Sequence, residues 1–288
     1  MDIRSLRAFV AVVDSGSFSA AAERLHLSQP AVSKRVSRLE QELGTQLFDR
    51  IGAGLPLTPA GKVLLPRARR LLAEAEDCER LVRNLEGRTE GPLSVATSHH
   101  IGLRRLPPVL RGFSAAFPAV QLELRFMDSE QACVAVARGE VELALVTLPP
   151  DPPAELELER IWPDPLVPCA APDHPLGRAE GLGTADLVRH PAVLPGPGTF
   201  TRALIDRRLQ EQGLQVPVAM ATNYLETLRM LAAVGLGWTI LPATMLDEEL
   251  VPLSLPELGL HRELGTVRHR RRILSSPAAA FAAALPRP

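Results

Sequence analysis

The sequence predicts an α/β chain headed by a winged helix-turn-helix, with a long linking helix before its α/β body. Three observations predict it. A helix-break-helix pattern with a basic second helix occupies Phe18 to Arg38. An apolar seam spaced alternately four and three residues apart runs from Leu64 to Leu85. Strand and helix patterns then alternate from Leu93 onward.

In the head, Ile3, Leu6, Phe9, Val10 and Val13 share one helical face, and Gly16 ends that helix. Phe18 staples the next helix, where Ala20, Ala21 and Ala22 are small enough to let another helix come close. A polar break at Leu27-Ser28 follows. Ser28 suits an N-cap, and Pro30 suits a first turn because its missing N–H is not needed there. Leu25, Leu27, Val32, Val36 and Leu39 recur at helical intervals as a shared core. That leaves Gln29, Ser33, Lys34, Ser37 and Arg38 facing outward, with Arg35 alongside. Gln pairs with adenine and Arg or Lys with guanine, while Ser reads either and Pro30 or Ala31 can touch a thymine methyl. This is the layout of a helix lying in a major groove. The candidate DNA contacts are Ser28, Gln29, Pro30, Ser33, Lys34, Arg35 and Arg38.

Leu43-Gly44 is a helix stop. Leu47 to Arg50 and Leu55 to Leu57 read as short strands around Gly52-Ala53-Gly54, the wing, and Arg50 is a further phosphate contact. Thr58-Pro59 then opens a helix reaching about Leu85, on the order of 40 Å long. Its seam comprises Leu64, Ala68, Leu71, Ala75, Cys78, Val82 and Leu85. Such a seam marks packing on a partner, so Leu64, Leu71, Cys78, Val82 and Leu85 are the candidate dimerisation residues.

The 288 residues make about two domains. Net charge is only -1, but residues 1–70 hold eleven Lys or Arg against six Asp or Glu. A basic head on an acidic body fits a DNA-binding module joined to something else. Cys78, Cys133 and Cys169 form no CxxC and lie near no His pair, so no metal site is expected. No basic-then-apolar leader and no run of about 18 apolar residues occur, so a cytoplasmic protein with no membrane partner is expected.

Beyond a polar hinge at Gly87 to Pro92, strands are expected at Leu93–Ala96, Val120–Phe126, Leu143–Thr147, Leu166–Ala170, Val216–Ala221 and Trp238–Leu241. Helices are expected near Leu103–Ala116, Ser129–Arg138, Thr201–Gln212 and Tyr224–Val234. This alternation implies mostly parallel sheets. Pro149 to Pro153 and the surroundings of Trp162 read as a break before a second α/β unit.

The run Ala20-Ala21-Ala22, Leu25, Ser28-Gln29-Pro30-Ala31-Val32-Ser33, Val36, Leu39-Glu40 resembles the signature of LysR-type transcriptional regulators. So do Leu43-Gly44, Leu47-Phe48, Arg50, Leu57-Thr58 and Ala60-Gly61. Later marks are Leu106-Pro107, Phe117-Pro118, Gly139-Glu140, Glu142-Leu143-Ala144 and Gly235-Leu236-Gly237 with Leu241-Pro242. The resemblance implies a winged helix-turn-helix at 1–58, a linker and dimerisation helix with hinge at 59–90, and a periplasmic-binding-protein-like effector domain at 91–288. Its subdomain I would cover 91–161 and 267–288, and subdomain II 162–266. It further implies a homodimer or homotetramer that binds an interrupted inverted repeat in double-stranded promoter DNA, answers a small-molecule effector, and has RNA polymerase as a further partner. The uncharged tip Gly52-Ala53-Gly54-Leu55 departs from the basic wing of the family, so minor-groove insertion is not expected.

Thr97-Ser98-His99-His100 follows a strand and precedes a helix, where hydroxyls and free N–H groups favour an anion. The resemblance places the effector there too, nearest the branch that binds small sulfur-containing anions through a Thr-Thr-His-Thr run, with His100 here replacing the last Thr. Thr147 ends its strand facing the same cleft. Thr199 and Thr201 precede a helix on the other side, and Asn223 stands before another. The candidate effector residues are Ser98, His99, His100, Ile101, Thr147, Thr199, Thr201 and Asn223. No catalytic residue and no cofactor beyond the co-inducer are expected. Gly-x-Ser-x-Gly, HExxH and phosphate-loop patterns do not occur. A cysteine redox regulator of the same family is the alternative, with a solute-binding protein or an enzyme behind it.

Overall fold

The computed structural model describes residues 1–49, 55–85 and 87–287, in two compact units, Met1–Glu86 and Gly87–Pro288. In the first, α1 (Ile3–Ser15), α2 (Phe18–Arg24) and α3 (Gln29–Leu43) precede the long α4 (Pro59–Asn84). Asp2, Ser17 and Ser28 cap the first three helices, accepting from the N–H of Ser5, Ala20 and Ala31 at 2.8, 3.1 and 3.4 Å. Phe18 opens α2 behind the cap Ser17, rather than standing before it. His26 makes the α2–α3 turn in the left-handed region, with φ at 52°.

The core of this unit gathers Phe9, Val12, Val32, Val36, Leu39, Leu47 and Phe48, with Leu25 and Leu27 half-buried around it. Phe48 packs against both Phe9, tilted, and Phe18, edge-on, at centroid distances of 5.4 and 5.7 Å. The carboxylate of Glu40 is buried within α3 and accepts the Leu47 N–H at 2.8 Å, which fixes the chain leaving that helix. Among the described residues the wing is one antiparallel bridge, Phe48 with Leu57, flanked by Asp49 N–H to Pro56 O and Thr58 N–H to Leu47 O. Arg50 and the tip Gly52-Ala53-Gly54 lie outside the described residues.

The α4 seam does not act as one stripe. Leu64 and Ala68, with Leu65 and Leu72, pack into the head. Leu71, Val82 and Leu85 stay 42, 66 and 86 % exposed, and Cys78 is exposed as well. A seven-residue spacing alone does not say which partner a face meets.

The second unit begins with β1 (Gly91–Thr97), α5 (His99–Arg104), α6 (Pro107–Ala116), β2 (Val120–Phe126), α7 (Ser129–Arg138) and β3 (Leu143–Thr147). The single helix expected over Leu103–Ala116 is two, because Pro107 and Pro108 start a new one. Then come β4 (Leu156–Ala170), α8 (Pro175–Arg178), β5 (Ala192–Leu194), α9 (Phe200–Glu211), β6 (Val218–Ala221) and α10 (Leu225–Ala233). The unit closes with β7 (Thr239–Pro242), β8 (Val251–Pro252), β9 (His261–His269) and α11 (Ser276–Ala283).

The main sheet runs β2-β1-β3-β9-β4-β7, with β8 beside β4, and β5 pairs β6 separately. Among the described residues, the strand pairs β1–β2, β1–β3 and β5–β6 are parallel, with an isolated parallel bridge from Ala192 to Trp238, and every pairing of β4 or β9 is antiparallel. The sheets are therefore mixed, not mostly parallel. Trp162 lies inside β4, not in a break. The expectation failed there because Pro163 and Pro165 lack the N–H of a ladder and read as punctuation. β4 and β9 run through both lobes, so the boundaries expected at 161/162 and 266/267 fall inside strands. The first lobe is cored by residues such as Leu93, Phe113, Leu145 and Phe281, the second by Leu187, Ile205, Leu228 and Trp238.

The strand crossing leaves no room at Gly265, where a Cβ would lie 2.0 Å from the Glu159 carbonyl oxygen. Gly265→Ala is expected to cost more than about 1–3 kcal/mol, by forcing the strands apart. Gly112→Ala, with nothing within 4 Å of the new Cβ, should be neutral or gain up to about 1 kcal/mol. Urea midpoints of the two variants check both; equal midpoints would contradict the close approach.

Candidate functional site

The outer face of α3 and the cleft of the second unit gather the sequence-derived residues. On α3, Ser28, Gln29, Pro30, Lys34 and Arg38 are exposed, while Ser33 and Arg35 are half-buried. Arg38 is engaged: its Nε donates to Glu42 at 3.0 Å, and Glu42 also takes the N-terminal amine at 2.5 Å. These two hydrogen bonds, the amine first, hold the Glu42 carboxyl below its usual range. Arg38 therefore reaches a phosphate only by leaving Glu42, whereas no such pairing holds Lys34 among the described residues.

In the second unit, Ser98, His99, His100, Thr147, Thr199, Thr201 and Asn223 line one cavity of about 60 Å³ between the lobes. Ile101 does not. It is fully buried in the first-lobe core, because the turn of α5 that brings His100 to the cleft sends its neighbour inward. α5 has only six residues and Ser98 makes no side-chain cap bond, so its dipole is a weak source of positive charge. Thr199 is spent as the α9 cap, accepting from Arg202 N–H at 3.1 Å and donating to Gly196 O at 2.9 Å. Thr201 is the hydroxyl at work in the cleft, accepting from Arg262 Nη1 at 2.8 Å.

Arg262 and Asp164 are the residues the sequence reading missed. They face each other in register across β4 and β9. Arg262 Nε donates to Asp164 at 2.8 Å and Arg105 Nη2 at 3.2 Å, with the carboxylate wholly buried. Burial lowers the Arg262 pKa, opposed by the charge and hydrogen bond of Asp164. His100 lies beside the pair, its Nε2 4.0 Å from Asp164. It is 6 % exposed, and neither ring nitrogen has a hydrogen-bond partner among the described residues. Its pKa is pushed down to about 4, first by burial and then by Arg262, against the pull of Asp164. The signal that would have found this pair is the register of β4 on β9, which local patterns do not carry.

Three polar contacts join the lobes across the cleft mouth. The Phe200 N–H at the start of α9 donates to Glu130. Asn223 Nδ2 donates to Asp128 at 2.6 Å while its Oδ1 accepts Gly196 N–H at 3.1 Å. Arg104 reaches Glu226 at 2.9 Å. His99 adds aromatic contacts with Phe126 and Tyr224, at 5.0 and 5.1 Å. A second cavity of about 550 Å³ shares Thr147 and Arg262 with the first and is lined by Leu148, Leu158, Phe200 and Leu204. Among the described residues, no group of His, Cys, Asp and Glu is placed to hold a metal ion, and no helix is long and apolar enough to cross a membrane.

Residues 3–62 match the family described as the bacterial regulatory helix-turn-helix protein, lysR family, and residues 86–287 match the LysR substrate binding domain. The chain belongs to the LysR family of transcriptional regulators. A LysR regulator binds DNA through such a helix-turn-helix and an effector through such a body. The RuBisCO operon transcriptional regulator of Allochromatium vinosum is 30 % identical over 98 % of this chain and 94 % of its own. The HTH-type regulator YeiE of Escherichia coli K12 is 32 % identical over 95 % and 93 %. These relatives are regulators, not enzymes. Full-length OxyR from Pseudomonas aeruginosa shares the fold at TM-score 0.71 and 23 % identity, covering 99 % of this LysR chain and 97 % of its own. CbnR complexed with its target DNA does so at TM-score 0.62 and 24 % identity, covering 99 % of both.

The low His100 pKa has a consequence for folding. The unfolded chain takes up this proton near pH 6.5 and the folded one near pH 4. Stability due to the neutral imidazole is thus intact above about pH 6.5 and lost as pH falls toward 4, by roughly 3 kcal/mol in all. Wild type minus His100→Gln, compared by urea denaturation between pH 7 and pH 4, should lose that difference on acidification. A constant difference would contradict it.

Proposed function

We propose that this regulator binds an interrupted inverted repeat in double-stranded promoter DNA as a homodimer or homotetramer and responds to a small anionic co-inducer in the cleft. The carrying observation is His100 beside Arg262: a buried imidazole with no hydrogen-bond partner among the described residues and a buried guanidinium, both lining one cavity between two lobes. Both can bond an anionic group that enters, with Thr201 and Ser98 adding hydroxyls. A ligand touching both lobes favours their closed arrangement, and its differential affinity for that arrangement shifts the population. That shift is what DNA and RNA polymerase would sense. The exposed Leu71, Cys78 and Val82 of α4, with Leu85 just beyond it, supply the face on which two chains pair. No cofactor beyond the co-inducer enters this reading, and the cytoplasm is where it acts.

The redox alternative fares less well. Burial pushes the thiols of Cys133 and Cys169 up to about 12, and the thiolate is the form that oxidants attack.

For DNA, Lys34→Ala should weaken binding across sequences and reduce the slope of log affinity against log salt by about 1. Gln29→Ala should relax sequence preference and leave that slope alone. Gel-shift titrations of the chain's own upstream region at several salt concentrations read both, and unchanged binding by both variants would contradict the placement of α3. For the cleft, Thr201→Val should weaken the response of the footprint to co-inducer by about tenfold, with DNA affinity in its absence unchanged.

A further inference from the structure

The acids of the cleft serve the other lobe rather than their own helix. Asp128 holds the N-cap position of α7, yet makes no side-chain cap bond there. Its carboxylate instead crosses the cleft to Asn223. Glu130, in the first turn of α7, sends its carboxylate across to the Phe200 N–H. Both line the cavity, as do Arg262 and His100. Arg262 and Arg105 both pair with Asp164 and Arg104 with Glu226, while Asp128 and Glu130 line the cavity with hydrogen bonds from neutral donors. A plain anion entering here adds negative charge beside two carboxylates that no ion pair holds among the described residues. A ligand with a cationic group of its own meets them instead.

The two poles fall on consecutive residues of α9. Glu130 is bonded to Phe200 and Arg262 to Thr201. Carboxylates and a guanidinium lining the same cavity suit the adjoining ammonium and carboxylate of an α-amino acid. His100 adds a ring able to accept from the ammonium or donate to the carboxylate. The cavity itself is small, about 60 Å³, enough for the ammonium and carboxylate end of such a ligand, and the larger cavity sharing Thr147 and Arg262 adjoins it.

We infer that the cleft selects a small α-amino acid as its zwitterion, with the carboxylate on Arg262 and Thr201 and the ammonium on Asp128 and Glu130. This rests on the reading of the cleft as the effector site and narrows the anionic co-inducer to one whose carboxylate is balanced by its own ammonium.

Thermal shift and calorimetry on the full-length protein test it, with glycine, L-alanine and L-serine against acetate, propionate, sulfate and methylamine. At least one amino acid should bind about tenfold more tightly than acetate or methylamine. Asp128→Asn keeps an acceptor for Asn223 but drops the charge, and should erase that preference while improving acetate and sulfate binding. Acetate or sulfate binding the wild type as well as every amino acid, or an unchanged preference in Asp128→Asn, would overturn zwitterion selection and leave an anion site standing. If no probe binds, the effector reading of the cleft falls with it.

Discussion

Asp164 and Arg262 meet across β4 and β9 with the carboxylate wholly out of solvent. Burying two charges costs several kcal/mol per ion unless geometry and further hydrogen bonds offset it. Here Arg105 and Thr201 complete the set, so the four residues are committed to one arrangement. Because β4 and β9 are the strands that run through both lobes, that arrangement sets the register where the lobes join. Gly265 belongs to the same crossing, since only a residue without a side chain lets β9 lie so close to Glu159. The cleft follows from this pair. Arg262 is its cation, Thr201 its oriented hydroxyl, and His100 is kept neutral by the same burial.

The head solves a different problem by local means. Its helices are capped by their own flanking residues, and its core is filled by apolar positions a turn apart. The buried Glu40 accepts the Leu47 N–H where the chain leaves α3. A polar face then remains on α3 as the remainder of that packing. The pairing of Arg38 with Glu42 shows that not every cation on it is equally free for DNA.

This contrast explains what the sequence showed. The helix-turn-helix was legible because caps, small residues and core spacing lie within some twenty consecutive residues of Phe18 to Arg38 and agree with one another. The hydroxyl and imidazole positions of the cleft were legible in part, because Ser98 and Thr199 stand at strand-to-helix junctions. Thr199 proved to be a cap and Ile101 a core residue, since a motif gives the turn but not the direction of each side chain. Asp164 and Arg262 stand far apart in sequence, and the prolines of β4 disguised the strand that joins them. Asp128 and Glu130 read as ordinary first-turn acids, and only the opposite lobe reveals their use. The α4 seam was visible as a period, yet a period does not say that Leu64 and Ala68 face the head while Val82 and Leu85 remain uncovered.

A double-mutant cycle on Asp164 and Arg262 is the most direct measurement. With Asp164→Leu and Arg262→Met, each single change leaves a charge buried without its partner and should cost about 3–5 kcal/mol by urea denaturation of the full-length chain. The double variant should be closer to wild type than the two losses added together, with a coupling of roughly 1–3 kcal/mol. Losses that simply add, or single variants as stable as the wild type, would contradict the account that this buried pair organises the lobes and their cleft.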